Sequence, residues 1–121
     1  MKIKIIEGDF TVCKVRDYSE TDLNAEYCFL GKTDNENSLV CKTADVPRNA
    51  IVSENGWKAL RIDEILDFSL TGILAHISAS LADQDIGIFA VSTYNTDYIF
   101  VKKSDFAKAL AALTDAGYEI I

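Results

Sequence analysis

Gly72 and Asp97 are the two residues whose types and spacing could do chemistry together, and that chemistry is the capture of a small zwitterion. They stand in DFSLTGILAHISASLADQDIGIFAVSTYNTDYIFV, residues 67–101, where a glycine opens an amphipathic helix and two β-rich runs flank a polar loop. In a βαββαβ unit the first strand ends at the edge where the first helix begins. The hairpin between the second and third strands returns to that edge, and the third strand lies beside the first. The order of elements therefore predicts Asp97 close to residues 69–72. A helix start offers N–H groups and a positive partial charge to a carboxylate, here through the amides of Thr71, Gly72 and Ile73. Gly72 leaves room for close backbone approach. Asp97 offers a carboxylate to an ammonium or guanidinium group. Ser92, Thr93, Asn95 and Thr96 could add neutral hydrogen bonds. A plainer reading stays open: Thr96-Asp97 at a strand start is ordinary turn chemistry, and Gly72 could do no more than start a helix.

The other chemistry-bearing residues read as structural. Thr33, Asp34, Glu36 and Ser38 form the equivalent tip in the first half, with residue types that turns favour. His76, the only histidine, precedes an inward-facing Ile77, and no motif marks a Ser or Cys partner for it. Trp57 reads as a packing anchor, and Asp63-Glu64 and the acids at 83–85 as solvated faces. Cys13, Cys28 and Cys41 are odd in number, lack a C-x-x-C spacing and lie in apolar or β-like runs. They are expected to be reduced and inert, with no metal bound. No nucleophile–base pair, metal set or cofactor loop is recognisable, so neither an enzyme nor a cofactor is expected.

The elements that must hold these residues follow from periodicity. The chain has 121 residues, 49% hydrophobic and 26% charged, a globular balance. In the first half, strands are expected at 3–6, 10–15, 26–31 and 38–42, with a turn or bulge at Gly8-Asp9 and a loop from Pro47 through Asn55-Gly56. Residues 18–24 read as a short helix or a loop. In the second half, 57–66 should be extended, and Ser69 or Thr71 can cap a helix from Gly72 to Ala82 with Ile73, Leu74, Ile77 and Leu81 on one face. Strands at 86–92 and 98–102 form a second hairpin. Ser104 caps a last helix carrying Phe106, Leu110 and Leu113, Gly117 ends it in the left-handed conformation, and 118–121 is a short final strand. Each half is small enough to bury only about 60% of its unfolded surface, so two lobes, or two chains, should pack together.

The net charge of −7 repels phosphate backbones and anionic membrane surfaces, so neither nucleic acid nor membrane is an expected partner. The N-terminal segment shows no signal-peptide pattern, no apolar run approaches about 20 residues, and a cytoplasmic setting is expected.

Three segments carry a family resemblance: TDNENSLVCK at 33–42, GWKALRIDEILDFSLTGILAHI at 56–77 and STYNTDYIFV at 92–101. With them the chain resembles the small bacterial tandem ACT-domain proteins related to aspartate kinase regulatory domains, and it is similar to the arginine-sensing CASTOR proteins of animals. One departure is Asn37, where the family carries an apolar residue. The resemblance implies an α+β chain of two ferredoxin-like βαββαβ lobes, with antiparallel sheets and helices on one face. These are expected at 1–56, a degenerate lobe with a reduced or missing helix, and at 57–121, a complete one. It also implies a small amino-acid-binding regulatory or sensor module with its ligand held at the lobe interface. The alternative is a module that binds no ligand and serves oligomerisation or protein interaction, as a homodimer or with a regulatory protein partner. A third reading, an enzyme using a cysteine, has no motif behind it.

Overall fold

The computed structural model describes residues 1–65 and 71–121. They form two compact units, one made of Met1–Glu7 with Lys58–Ile121 and the other of Gly8–Trp57. Strands β1 (Lys2–Val15) and β4 (Ala50–Ile62) are long enough to contribute to both. The expected division at 56/57 had grouped residues 1–7 with the first half. Packing groups them with Lys58–Ile121, because Ile3 is fully buried in that unit's core and Ile5 packs against it.

Two expected breaks are continuous strand. The chain stays extended through Gly8 at φ +104° and through Gly56 at φ +85°. A glycine in this conformation is how a β-bulge is absorbed without ending a strand. Asn55-Gly56 reads locally as a turn. Instead, Asn55 Oδ1 accepts a hydrogen bond from the buried Thr11 hydroxyl at 2.8 Å, and residues 50–56 run as strand where a loop was expected. Tertiary pairing has overridden the local signal.

In the unit Met1–Glu7 with Lys58–Ile121, the elements β4, α1 (Ile73–Ala82), β5 (Ile88–Ser92), β6 (Asp97–Lys102), α2 (Phe106–Asp115) and β7 (Glu119–Ile120) follow the βαββαβ order. This is the ferredoxin-like α+β fold, with one addition. The front of β1 lies between β7 and β4 in the order β7-β1-β4-β6-β5. A wholly antiparallel sheet was expected, but β7 runs parallel to β1, with Lys2 opposite Glu119 and Ile3 opposite Ile120. Both helices pack on one sheet face. Ile77 and Leu81 of α1 and Ala109 and Leu113 of α2 meet Ile3, Leu60, Ile62, Ile99 and Val101. The i, i+4 spacing on each helix puts these side chains over one another on its inner face.

The helix starts differ from expectation. Thr71 does not cap α1: Gly72 is the N-cap at φ +82°, and no side chain bonds there. Ser69 and the end of the extended run expected at 57–66 lie outside the described residues. Ser104 does not cap α2 either, because residues Lys103–Asp105 form a 3-10 turn and Asp105 becomes the N-cap. Gly117 ends α2 at φ +100°, as the pattern predicts.

In the unit Gly8–Trp57, β2 (Cys28–Lys32) and β3 (Asn37–Lys42) make a hairpin, and the strand order is β2-β3-β1-β4. Among the described residues of this unit there is no α-helix, only a 3-10 turn at Thr43–Asp45. Asn37, the departure from the family pattern, is accommodated at the start of β3, where its side-chain amide donates to the Arg16 carbonyl at 2.9 Å. The tip at 33–36 repeats the tip at 93–96. Thr33 N–H donates to Glu36 O at 2.9 Å, and Thr93 N–H donates to Thr96 O at 2.8 Å. Each hairpin also leads into a 3-10 turn.

Candidate functional site

The end of β4 and the β5–β6 tip enclose a hollow of about 420 Å³, lined by Arg61, Asp63, Glu64, Thr93, Asn95 and Tyr98 among others. Its position follows from the fold, since β6 lies beside β4 and the hairpin tip returns to the edge where β4 ends. Thr96 locks the two together. Its hydroxyl is buried and donates to the Ile62 carbonyl at 2.8 Å. The tip holds its own shape, because the Thr93 hydroxyl donates to Thr96 O at 3.0 Å and accepts from Thr96 N–H at 3.4 Å.

Arg61 gives the hollow a positive pole. Strand alternation turns Leu60 and Ile62 to the helices and Arg61 to the opposite face, where its guanidinium lies 6.0 Å from the centre of the Tyr98 ring. It donates to the Asp63 carboxylate at 3.1 Å. Its hydrogen bond with Tyr98 pushes its pKa above the ordinary value, burial opposes the rise, and Asp63 adds to it. A planar guanidinium has five N–H donors, so a pair with one carboxylate leaves donors for a second. Asp63 and Glu64 give the same hollow a negative side.

The predicted site residues separate into three groups. Thr93, Asn95 and Thr96 line the Arg61 hollow. Thr71, Gly72 and Ile73 line another of about 310 Å³ with Met1, His76 and Tyr118. Gly72 O accepts the first intrahelical hydrogen bond there, from His76 N–H at 2.9 Å. In that hollow His76 Nδ1 is hydrogen-bonded to the Tyr118 hydroxyl, whose pKa is raised by burial. Ser92 and Asp97 face each other as the first pair of the hairpin, and the Ser92 hydroxyl donates to the Asp97 carboxylate at 2.5 Å. Among the described residues, the two hollows share no lining residue. Sequence reasoning missed Arg61 and Tyr98 and took Asp63-Glu64 for a solvated face. The available signal was a cation at a period-2 position inside the apolar run Ala59-Leu60-Arg61-Ile62.

A sequence profile of the ACT domain matches residues 52–115. The chain belongs to the ACT domain family. The human protein CASTOR3P is 28% identical over 103 residues, covering 79% of this chain. The chain spans only 60% of that protein's length. The crystal structure of Atu0741 from Agrobacterium tumefaciens matches at 27% identity with a TM-score of 0.87, covering 99% of this chain and 91% of that one. The ligand-free regulatory subunit of aspartate kinase from Thermus thermophilus matches at 9% identity with a TM-score of 0.63, covering 97% and 98%. That last likeness is one of fold alone. Among the described residues of this ACT protein, no group of three or more His, Cys, Asp or Glu is arranged to hold a metal ion. No described helix is long and apolar enough to cross a membrane.

Proposed function

We propose that this ACT protein is a non-catalytic regulatory module that binds a free amino acid, in a cytoplasmic setting. One observation carries the reading: a hollow of about 420 Å³ at the β4 end and hairpin tip has a guanidinium and two carboxylates in its lining. Small-ligand sites have volumes of about 300–1,000 Å³ and use a few placed polar groups. In this reading the ligand carboxylate meets Arg61, its ammonium meets Asp63 or Glu64, and Thr93 and Asn95 add neutral hydrogen bonds. Thr96 and the Ser92–Asp97 pair hold the tip in place.

A second placement keeps the carboxylate at the Thr71–Ile73 amides and a cationic group near Asp97. It is favoured by the separate hollow at the start of α1. We also read the unit Gly8–Trp57 as a degenerate second ACT lobe, on the strength of its repeated hairpin. The competing function, an oligomerisation or protein-interaction module, is favoured by the exposure of Ile51 and Val52, at 63% and 56%.

Calorimetry of the chain against the twenty amino acids tests these readings. Losing a charge-assisted hydrogen bond costs roughly 1.5–3 kcal/mol, about tenfold to more than a hundredfold in affinity. Arg61→Gln is expected to weaken binding by that factor if the ligand sits in the first hollow. Asp97→Ala is expected to do so if it sits at the second placement. No heat with any amino acid, together with a concentration-dependent mass in solution, would favour the interaction module.

A further inference from the structure

Cys28 and Cys41 of the Gly8–Trp57 unit carry chemistry that the proposed function does not use. They stand directly opposite each other in the β2–β3 hairpin. Thr33 and Glu36 are a hydrogen-bonded pair, since Thr33 N–H donates to Glu36 O. Hydrogen-bonded and non-hydrogen-bonded pairs alternate along an antiparallel ladder. From that pair the alternation runs through Lys32 with Asn37, Gly31 with Ser38, Leu30 with Leu39 and Phe29 with Val40, and it makes Cys28 with Cys41 a non-hydrogen-bonded pair. In such a pair the Cα atoms are about 4.5 Å apart and the side chains lean together. A disulfide accepts Cα separations of roughly 4.4–6.8 Å.

Cys13 is the competing partner. It lies opposite Leu39, while Thr11 lies opposite Cys41. Cys13 is therefore a diagonal neighbour of Cys41, at about 7–8 Å, which is beyond the reach of an undistorted disulfide. All three thiols are free in the structure. Cys41 and Cys13 are buried and Cys28 is half-buried on the outermost strand of its unit, so Cys28 is the thiol an oxidant meets first.

We infer that the β2–β3 hairpin is a reversible oxidation site at which hydrogen peroxide converts Cys28 and Cys41, and not Cys13, into a cross-strand disulfide. The Cys28 thiolate attacks the peroxide, the O–O bond breaks, and Cys28 becomes a sulfenic acid as the first water leaves. The Cys41 sulfur then attacks the Cys28 sulfur and expels the second water. Two thiols lose two electrons and two protons, and the peroxide takes up both. Burial raises both pKa values, that of Cys41 to about 12, so the thiols rest protonated at neutral pH and the reaction should speed up as pH rises.

The experiment treats the full chain with hydrogen peroxide at pH 7 and pH 9, blocks remaining thiols with an alkylating agent, and maps peptides without reduction. The expected result is a Cys28–Cys41 linked peptide that disappears on reduction, forms faster at pH 9 and persists in Cys13→Ser. Cys28→Ser should abolish it. Amide exchange across Cys28–Lys32 should slow in the oxidised chain. A linked peptide containing Cys13 would overturn the inference, as would Cys28 oxidised to its sulfinic acid with no cross-link.

Discussion

Thr96 and Cys41 show how single side chains set this molecule's behaviour. The Thr96 hydroxyl is buried and bonded to the Ile62 carbonyl, tying the hairpin tip to β4 beside the charged hollow. Thr96→Val keeps the shape and removes that hydrogen bond, which should cost about 0.5–1.5 kcal/mol in urea unfolding. Thr93→Val, at an exposed position, should cost less. Cys41 contributes to alkaline stability, as do Cys13, Cys28, Tyr18 and Tyr118, whose pKa values burial also raises. Its folded pKa is about 12 against an ordinary 9.0, chiefly through burial. Between those values the unfolded chain gives up the proton and the folded chain keeps it. The stabilisation is therefore complete below pH 9 and is lost as pH rises toward 12. Under reducing conditions, Cys41→Ala should unfold at lower denaturant concentration at pH 7, with a smaller further loss between pH 9 and pH 10.5 than the parent shows.

At the scale of elements, helix α1 begins on backbone conformation with no capping side chain. Gly72 holds φ +82°, and a Cβ added there would meet no atom of the described residues within 4 Å. Gly72→Ala should therefore cost about 1–2 kcal/mol as backbone strain. Gly87 has equally open space and no positive φ, so Gly87→Ala should leave the thermal midpoint nearly unchanged. Paired melting curves test the contrast. The hairpins show why an element's type is easier to read than its ends. Alternating apolar residues marked both, yet Asp97 belongs to β6 and the capping role expected of Ser104 passes to a 3-10 turn.

For the whole chain, the front of β1 is the decisive piece. Ile3 is fully buried among residues of α1, α2, β4 and β6, and β7 finds its partner in Lys2 and Ile3. Ile121 N–H donates to Ile3 O at 2.9 Å, and Glu119 N–H donates to Met1 O at 3.1 Å. Ile3→Ala should therefore cost about 2–5 kcal/mol and accelerate amide exchange at Glu119 and Ile120. A fragment of residues 57–121 lacks this strand. It is expected to give a collapsed amide spectrum with poor dispersion, and a well-dispersed spectrum would show that the second half folds without residues 1–7.

The sequence by itself determined what repeats at short range. The 3.6-residue stripe of Ile77 with Leu81, the inward Leu113, the two hairpins, the left-handed Gly117 and the ACT motifs were all legible, because each rests on neighbours a few positions apart, whereas the fully buried Ala109 was not picked out and Phe106 and Leu110 are only partly buried. Only the tertiary structure decided the rest. Gly8 and Gly56 carry every local sign of a turn and are absorbed within strands, since long-range pairing outweighs a two-residue preference. The candidate site divides for the same reason. Period-2 alternation turns Arg61 toward Tyr98 and away from the helices, and the β6–β4 pairing brings it to Thr93 and Asn95. Thr71, Gly72 and Ile73 line a different hollow, shared with Met1 and Tyr118, residues more than 100 positions apart that no local pattern could bring together.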